Sequence, residues 1–180
     1  NLAVEALQKL LKDEVRVRFG RNVVKSGEFS EMLEAALTSY RNGTIEAAQV
    51  IEELIAIAYK LQASEEHEKE LGLEPDEVMF YDALAANGSA TEVMKDDQLR
   101  DLARLLVQQV RNDAGIDWQV RETVQAKLRI NVKKTLNKYG YPPDQQAIAT
   151  QLVLEQAKAY GNQWSEKESY QAGGGASLID

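Results

Sequence analysis

The 180-residue chain has no cysteine and one histidine, and no apolar run approaches the ~20 residues of a membrane span. The missing cysteines remove disulfides, thiolate nucleophiles and thiolate metal sites, and fit a reducing compartment. A basic surplus is also lacking: 21 Lys and Arg stand against 29 Asp and Glu, for a net charge of -8 and a pI near 4.9. That balance opposes broad, nonspecific attraction to phosphate. There is no G-x-x-x-x-G-K-[ST] phosphate loop and no dinucleotide fingerprint after a strand, and the GGG at 173–175 reads as linker. No signal-like n-region and h-region opens the chain, and a start at Asn1 rather than Met is expected of a processed chain or a piece of something longer.

What is present is helical periodicity. Hydrophobic content of 44% and charged content of 28% suit a globular chain, and one of this length hides roughly 70% of its extended surface. Val4, Leu7, Leu11 and Val15 step by three and four, drawing one apolar stripe. VRVRF at 15–19 alternates as a strand would, but no pairing partner lies nearby, so helix is preferred. Ser30 is the expected cap of a second helix, with Glu31 and Glu34 at its positive end and Met32, Leu33, Ala36, Leu37 and Tyr40 inside. Thr44 is the expected cap of a third, burying Ala47, Val50, Ile51, Leu54, Ile55, Ala58 and Leu61. Its polar end, QASEEHEKE, is expected to protrude or fray before Gly72 stops it.

Pro75 suits the first turn of a fourth helix burying Val78, Met79, Phe80 or Tyr81, and Leu84, and ending near Asn87-Gly88. Leu99, Leu102, Ala103, Leu106 and Val110 mark a fifth. A sixth runs from a cap at Asp117 to Tyr139, closed by Gly140. Pro143 starts the last, with Ile148, Leu152, Val153 or Leu154, and Ala157 inside, ending near Tyr160. The expectation is an all-α bundle or array of about six to seven helices. It forms a single domain over 1–161, divisible into sub-bundles 1–73 and 75–161, with 162–180 as a flexible Gly-rich tail.

Chemistry is hard to assemble from these residues. His67 and Glu70 make one H-x-x-E pair on a helix face, without the second cluster that a carboxylate-bridged metal site needs. The solvated-face reading is the simpler one. Asp96-Asp97 precedes an apolar helix, where capping explains it more economically than a cation. No catalytic, cofactor or metal residue is assigned, and the chain itself is read as non-enzymatic.

The sixth helix holds the one conspicuous charge feature. From Arg121 to Lys138 it carries Arg121, Lys127, Arg129, Lys133, Lys134 and Lys138 against Glu122 alone. Between Ser26 and Gln109, by contrast, 18 acidic residues face 6 basic ones. At about 100° per residue, Val124, Leu128, Val132, Leu136 and Tyr139 share one side and the cations the other. Ile130 sits in the middle of the basic side. Three readings follow: a solvated face paired with the chain's own acids, a partner-docking face, or a phosphate contact. On residues alone they rank in that order. Arg129, Ile130, Lys133, Lys134, Lys127 and Lys138 are the candidate contact residues, and Arg16, Arg18 and Arg21 would join them if the fold allowed.

GEFSEMLEAAL, IEAAQVIEELI, ELGLEPDEVMFYDALAANGSA, IDWQVRETVQAKLR and KYGYPPDQQ, in that order, resemble the C-terminal helical region of the R (restriction, motor) subunit of type I restriction–modification enzymes. The resemblance runs from roughly Leu7 to Tyr160. It implies a longer, cytoplasmic parent in a bacterium or archaeon, a type I site-specific deoxyribonuclease with an ATP-dependent DNA translocase upstream. It implies ATP and Mg for that parent and no cofactor here. The implied partners are the modification (methyltransferase) and specificity subunits and the upstream motor domains. DNA is a weaker candidate, and no membrane is implied. The resemblance lifts docking above the other readings of the basic helix.

Overall fold

A computed structural model describes residues 1–114 and 122–173 of the chain, with side chains for 1–113 and 122–161. Among the described residues the fold is all-α, with eight α-helices, one 3-10 turn and no strand. The chain divides into two units, Asn1–Glu74 and Pro75–Asp180.

The first unit is three mutually packed helices: α1 (Leu2–Phe19), α2 (Val23–Arg41) and α3 (Ala47–Leu71). The expected stripe of α1 is its buried face, with Val4, Leu11 and Val15 inside and Leu7 packed against them. VRVRF is helical: Val15 and Phe19, four apart, both turn inward while Val17 is exposed. Phe19 stacks on Phe29 of α2 with centroids 5.4 Å apart. The second helix begins earlier than expected. Asn22, itself buried, caps it by accepting from the Lys25 N–H at 3.0 Å, and Ser30 lies in mid-helix.

Two further corrections fall on α3. Its cap is Glu46, whose N–H donates to Gln49 Oε1 at 3.0 Å, rather than Thr44. Its buried row is Val50, Leu54, Ile57 and Leu61, while Ile55 and Ala58 are exposed. The polar end stays helical to Leu71, and Arg18 ties it to α1 through Glu65 at 2.6 Å. Gly72 ends it with φ of 65°, a left-handed backbone that glycine adopts without a Cβ penalty.

The second unit comprises α4 (Pro75–Ala85), α5 (Gly88–Val93), α6 (Asp96–Ala114), α7 (Glu122–Lys138), a 3-10 turn (Pro143–Gln145) and α8 (Gln146–Gly173). The fourth helix packs against α6 and α8 and is buried nearly all round, including Val78, Phe80, Tyr81, Ala83 and Leu84. Burying acids on such a helix requires partners, and Asp76 has one in Arg111 of α6. The Tyr81 hydroxyl donates to Asp96 Oδ1 at 2.5 Å, and Arg100 closes on the same carboxylate at 3.1 Å. Asp96 is thus the first residue of α6 and not its cap, and its carboxylate serves a side-chain network there.

Burial, then the Asp96 carboxylate, pushes the Tyr81 phenol well above its usual range, and burial likewise raises Tyr141. Both stay neutral in the fold at pH values where the unfolded chain ionises them. Their contribution is complete below about pH 10 and is lost as pH rises through the higher folded values. Chemical denaturation between pH 8 and 12 is expected to show stability falling above pH ~10. Tyr81→Phe should flatten that fall; an unchanged alkaline slope would contradict the assignment.

The α7–α8 junction is built around Gly140, with φ of 78°. Tyr141 N–H donates to Leu136 O at 3.0 Å and Gly140 N–H to Asn137 O at 3.3 Å, the paired bonds of a Schellman ending. Tyr141 then plunges inward. Its hydroxyl donates to Leu84 O at 2.7 Å, and its own carbonyl accepts from Gln146 Nε2 at 3.0 Å. Pro143 opens a 3-10 turn and α8 starts at Gln146, with the expected Val153, Leu154 and Ala157 buried and Leu152 half-buried. The helix also buries Ala149 and Gln156, leaves Ile148 exposed, and runs on to Gly173 past the expected end near Tyr160. The tail beyond residue 173 lies outside the described residues. Among the described residues no helix is long and apolar enough to cross a membrane.

Candidate functional site

The inner side of α7 is fixed by both apolar and polar contacts. Leu128, Val132 and Leu136 are fully buried, and the helix packs against α6 and α8. Asn131 Nδ2 donates to Asp113 Oδ2 at 3.0 Å and Thr135 Oγ1 to Gln109 Oε1 at 2.8 Å, joining its flank to α6. These bonds and the apolar row leave one orientation for the opposite face. Asp117, the expected cap, and Arg121 lie outside the described residues.

That opposite face carries Lys127, Arg129, Ile130, Lys133, Lys134 and Lys138, all exposed, with Ile130 at 55%. None of its cations forms an ion pair with an acid among the described residues. Elsewhere pairing is common. Lys12, Lys25, Arg41, Lys69, Arg100, Arg104 and Arg111 each meet a carboxylate within 4 Å. Arg16 is held by Asp13 and Arg18 by Glu14 and Glu65, so both are committed within the first unit. Among the described residues, α7 therefore shows an exposed face without the acid partners that the first-ranked reading expected.

Tyr139 departs from its expected place in the buried stripe. The helix ends at Lys138, the wheel no longer applies, and the ring is 49% exposed with Lys138 Nζ 5.6 Å from its centroid. It forms one wall of a groove of about 370 Å³ whose other walls are Met94, Gln98, Asp101, Leu102 and Leu105. Sequence reasoning missed this groove because α5, which delivers Met94, has too few apolar residues to announce itself. Of the remaining candidates, His67 and Glu70 are exposed on α3 in the first unit, and no group of three or more metal-ligating side chains converges among the described residues.

Residues 1–163 match the family model described as "Type I restriction enzyme HindI endonuclease subunit-like, C-terminal". The chain belongs to this family. It is 36% identical over 158 residues to the type I restriction enzyme HindI endonuclease subunit of Haemophilus influenzae, covering 88% of this chain and 15% of the relative. It is 32% identical over 139 residues to the putative type I restriction enzyme MjaIXP endonuclease subunit of Methanocaldococcus jannaschii, covering 76% of this chain and 13% of the relative. The chain thus spans about a seventh of the length of these curated relatives. No solved structure matches it.

In this C-terminal domain of the restriction-enzyme family, two segments that carry the sequence resemblance meet in space. FYDALA is the largely buried C-terminal half of α4, and the Tyr141 of KYGYPP donates to the carbonyl of its Leu84. Asn87 Nδ2, just after FYDALA, donates to the same Tyr141 oxygen at 3.5 Å. Both segments are scaffold. They hold the C-terminal end of α7 in place, and with it the basic face.

Proposed function

We propose that this chain is a non-catalytic assembly domain that attaches its endonuclease subunit to the methyltransferase core of modification and specificity subunits. The outer face of α7 makes the contact. The observation that carries this reading is the set of five cations around exposed Ile130, without acid partners among the described residues, where most other described cations are paired. Arg129 and Lys133, like Lys134 and Lys138, are like charges four apart on one helix, each pair costing about 0.2–0.5 kcal/mol. Carboxylates on a partner would offset that cost and supply the complementarity that sets docking register. ATP binding, translocation and DNA cleavage belong, in this reading, to parts of the parent outside this chain, and ATP and Mg contribute no step here.

The test is retention of the purified chain on immobilised methyltransferase core. Specific, saturable retention is expected, and its absence at low salt would refute the reading. The same unpaired cations favour a second reading in which they contact DNA phosphates. Four such contacts would make log K fall with log salt at a slope of about -3.6. Under the docking reading, labelled duplex titrated at rising salt is expected to give no such slope, and a slope near that value would transfer the face to DNA.

A further inference from the structure

The groove beside Tyr139 and the basic row of α7 are continuous. Lys138 lies over the Tyr139 ring, and Lys134, Ile130 and Lys127 follow it back along the helix at steps of four, four and three. The groove floor is apolar, with Met94 and Leu102 buried and Leu105 half-buried. The two features have different chemistry and adjoin end to end.

Resting on the docking reading above, we propose that this composite surface takes one acidic protein segment bearing a bulky apolar side chain. The apolar side chain seats in the groove against Tyr139, Leu102 and Leu105. Carboxylates beside it meet Lys138, Lys134 and Lys127 in turn, with Ile130 covered between them. Charge complementarity selects the acidic partner: the row carries a single sign and has no acid of its own among the described residues. The groove rim argues against a nucleic acid. Asp101, with its side chain 77% exposed, lines it and would repel phosphate, and its Arg104 partner only partly offsets that charge. An apolar pocket flanked by free cations is the arrangement in which a central anchor supplies affinity and the surrounding charges supply register.

The experiment places a photoreactive benzophenone side chain at position 139 of the chain, and separately at 133, and irradiates each with the methyltransferase core. Cross-linked peptides are then identified by mass spectrometry. The expected result is a cross-link from position 139 to a segment with a net excess of Asp and Glu around a Leu, Ile, Met or aromatic residue. Tyr139→Ala should weaken core binding about tenfold without changing its salt dependence, as expected for loss of an apolar anchor. Lys134→Ala with Lys138→Ala should flatten the salt dependence. Cross-linking from 133 but not from 139, or from 139 to a segment without acidic excess, overturns the composite surface while leaving docking by α7 in place. With labelled duplex added to the irradiated mixture, cross-linking from 139 to the duplex instead of the core overturns it in favour of phosphate contact. Failure of the unmodified chain to bind the core removes the docking reading and this one together.

Discussion

Arg129→Glu, Lys133→Glu and Lys134→Glu, combined, are expected to weaken binding to the methyltransferase core by about 100-fold, or about 2.8 kcal/mol. Each of the three side chains is exposed and has no acid partner among the described residues, so reversal removes attraction to a partner carboxylate and introduces repulsion in its place. Stability should hardly move, because exposed substitutions remote from packing usually stay within about 0.5 kcal/mol. Circular dichroism and the denaturation midpoint therefore separate a lost contact from a lost fold. Lys9→Glu with Lys60→Glu, two reversals against three, is the control, since both lysines are exposed in the first unit. Binding in the control is expected to stay within about twofold, because neither lysine belongs to the proposed contact face. Equal losses per reversed charge in both variants would mean that only net charge matters.

Tyr141→Ala should have the larger effect on stability, destabilising the second unit by about 3–5 kcal/mol, the range for truncating a buried aromatic. The side chain is almost wholly enclosed, at 1% exposure, and its hydroxyl satisfies the Leu84 carbonyl at the end of α4. Truncation leaves a cavity and an unpaired buried carbonyl together. Tyr141→Phe keeps the ring and loses the bond, so it should cost about 1–2 kcal/mol. The graded pair, read by urea denaturation, distinguishes packing from hydrogen bonding. Nearly equal losses for the two variants would place the hydroxyl, not the ring, at the centre of the junction. Because this junction anchors the end of α7, Tyr141→Ala should also weaken binding to the core, as a consequence of the altered fold.

Much of the helical layout is legible in the sequence because its punctuation is local chemistry. Gly72 and Gly140 adopt the left-handed backbone where the apolar pattern stops, and Pro75 opens α4. The buried row Leu128, Val132 and Leu136 repeats every four residues, so the outward face of α7 follows from the spacing alone. The errors are equally physical. Ser30 has cap chemistry but lies in mid-helix, downstream of Gly27. A Cβ at Gly27 would meet nothing, so the glycine simply occupies an open position inside α2. In α3 the stretch AAQVIEELIAIA is apolar around so much of its circumference that two registers fit. Packing selected the one containing Ile57 over the one containing Ile55 and Ala58.

The site is half legible. All six candidate contact residues, Lys127, Arg129, Ile130, Lys133, Lys134 and Lys138, prove exposed on one helix. Their lack of acid partners among the described residues is not readable from sequence, because pairing depends on which acids the fold brings near. Tyr139 is misplaced by the wheel since a wheel extends helical geometry past the residue at which the helix ends. The fully buried Gln156, whose Nε2 lies 3.3 Å from Met79 Sδ, carries no hydrophobic signal at all. Single-sequence periodicity sees apolar faces; it does not see polar groups that the interior accepts once they are paired.

The most direct measurement of the central claim is competition. Intact endonuclease subunit is assembled on immobilised methyltransferase core in the presence of increasing amounts of this chain. If the outer face of α7 is a docking surface, the chain displaces the intact subunit in a saturable way and the Arg129→Glu, Lys133→Glu, Lys134→Glu variant does not. Undiminished assembly at saturating chain, or equal displacement by the variant, would contradict that claim.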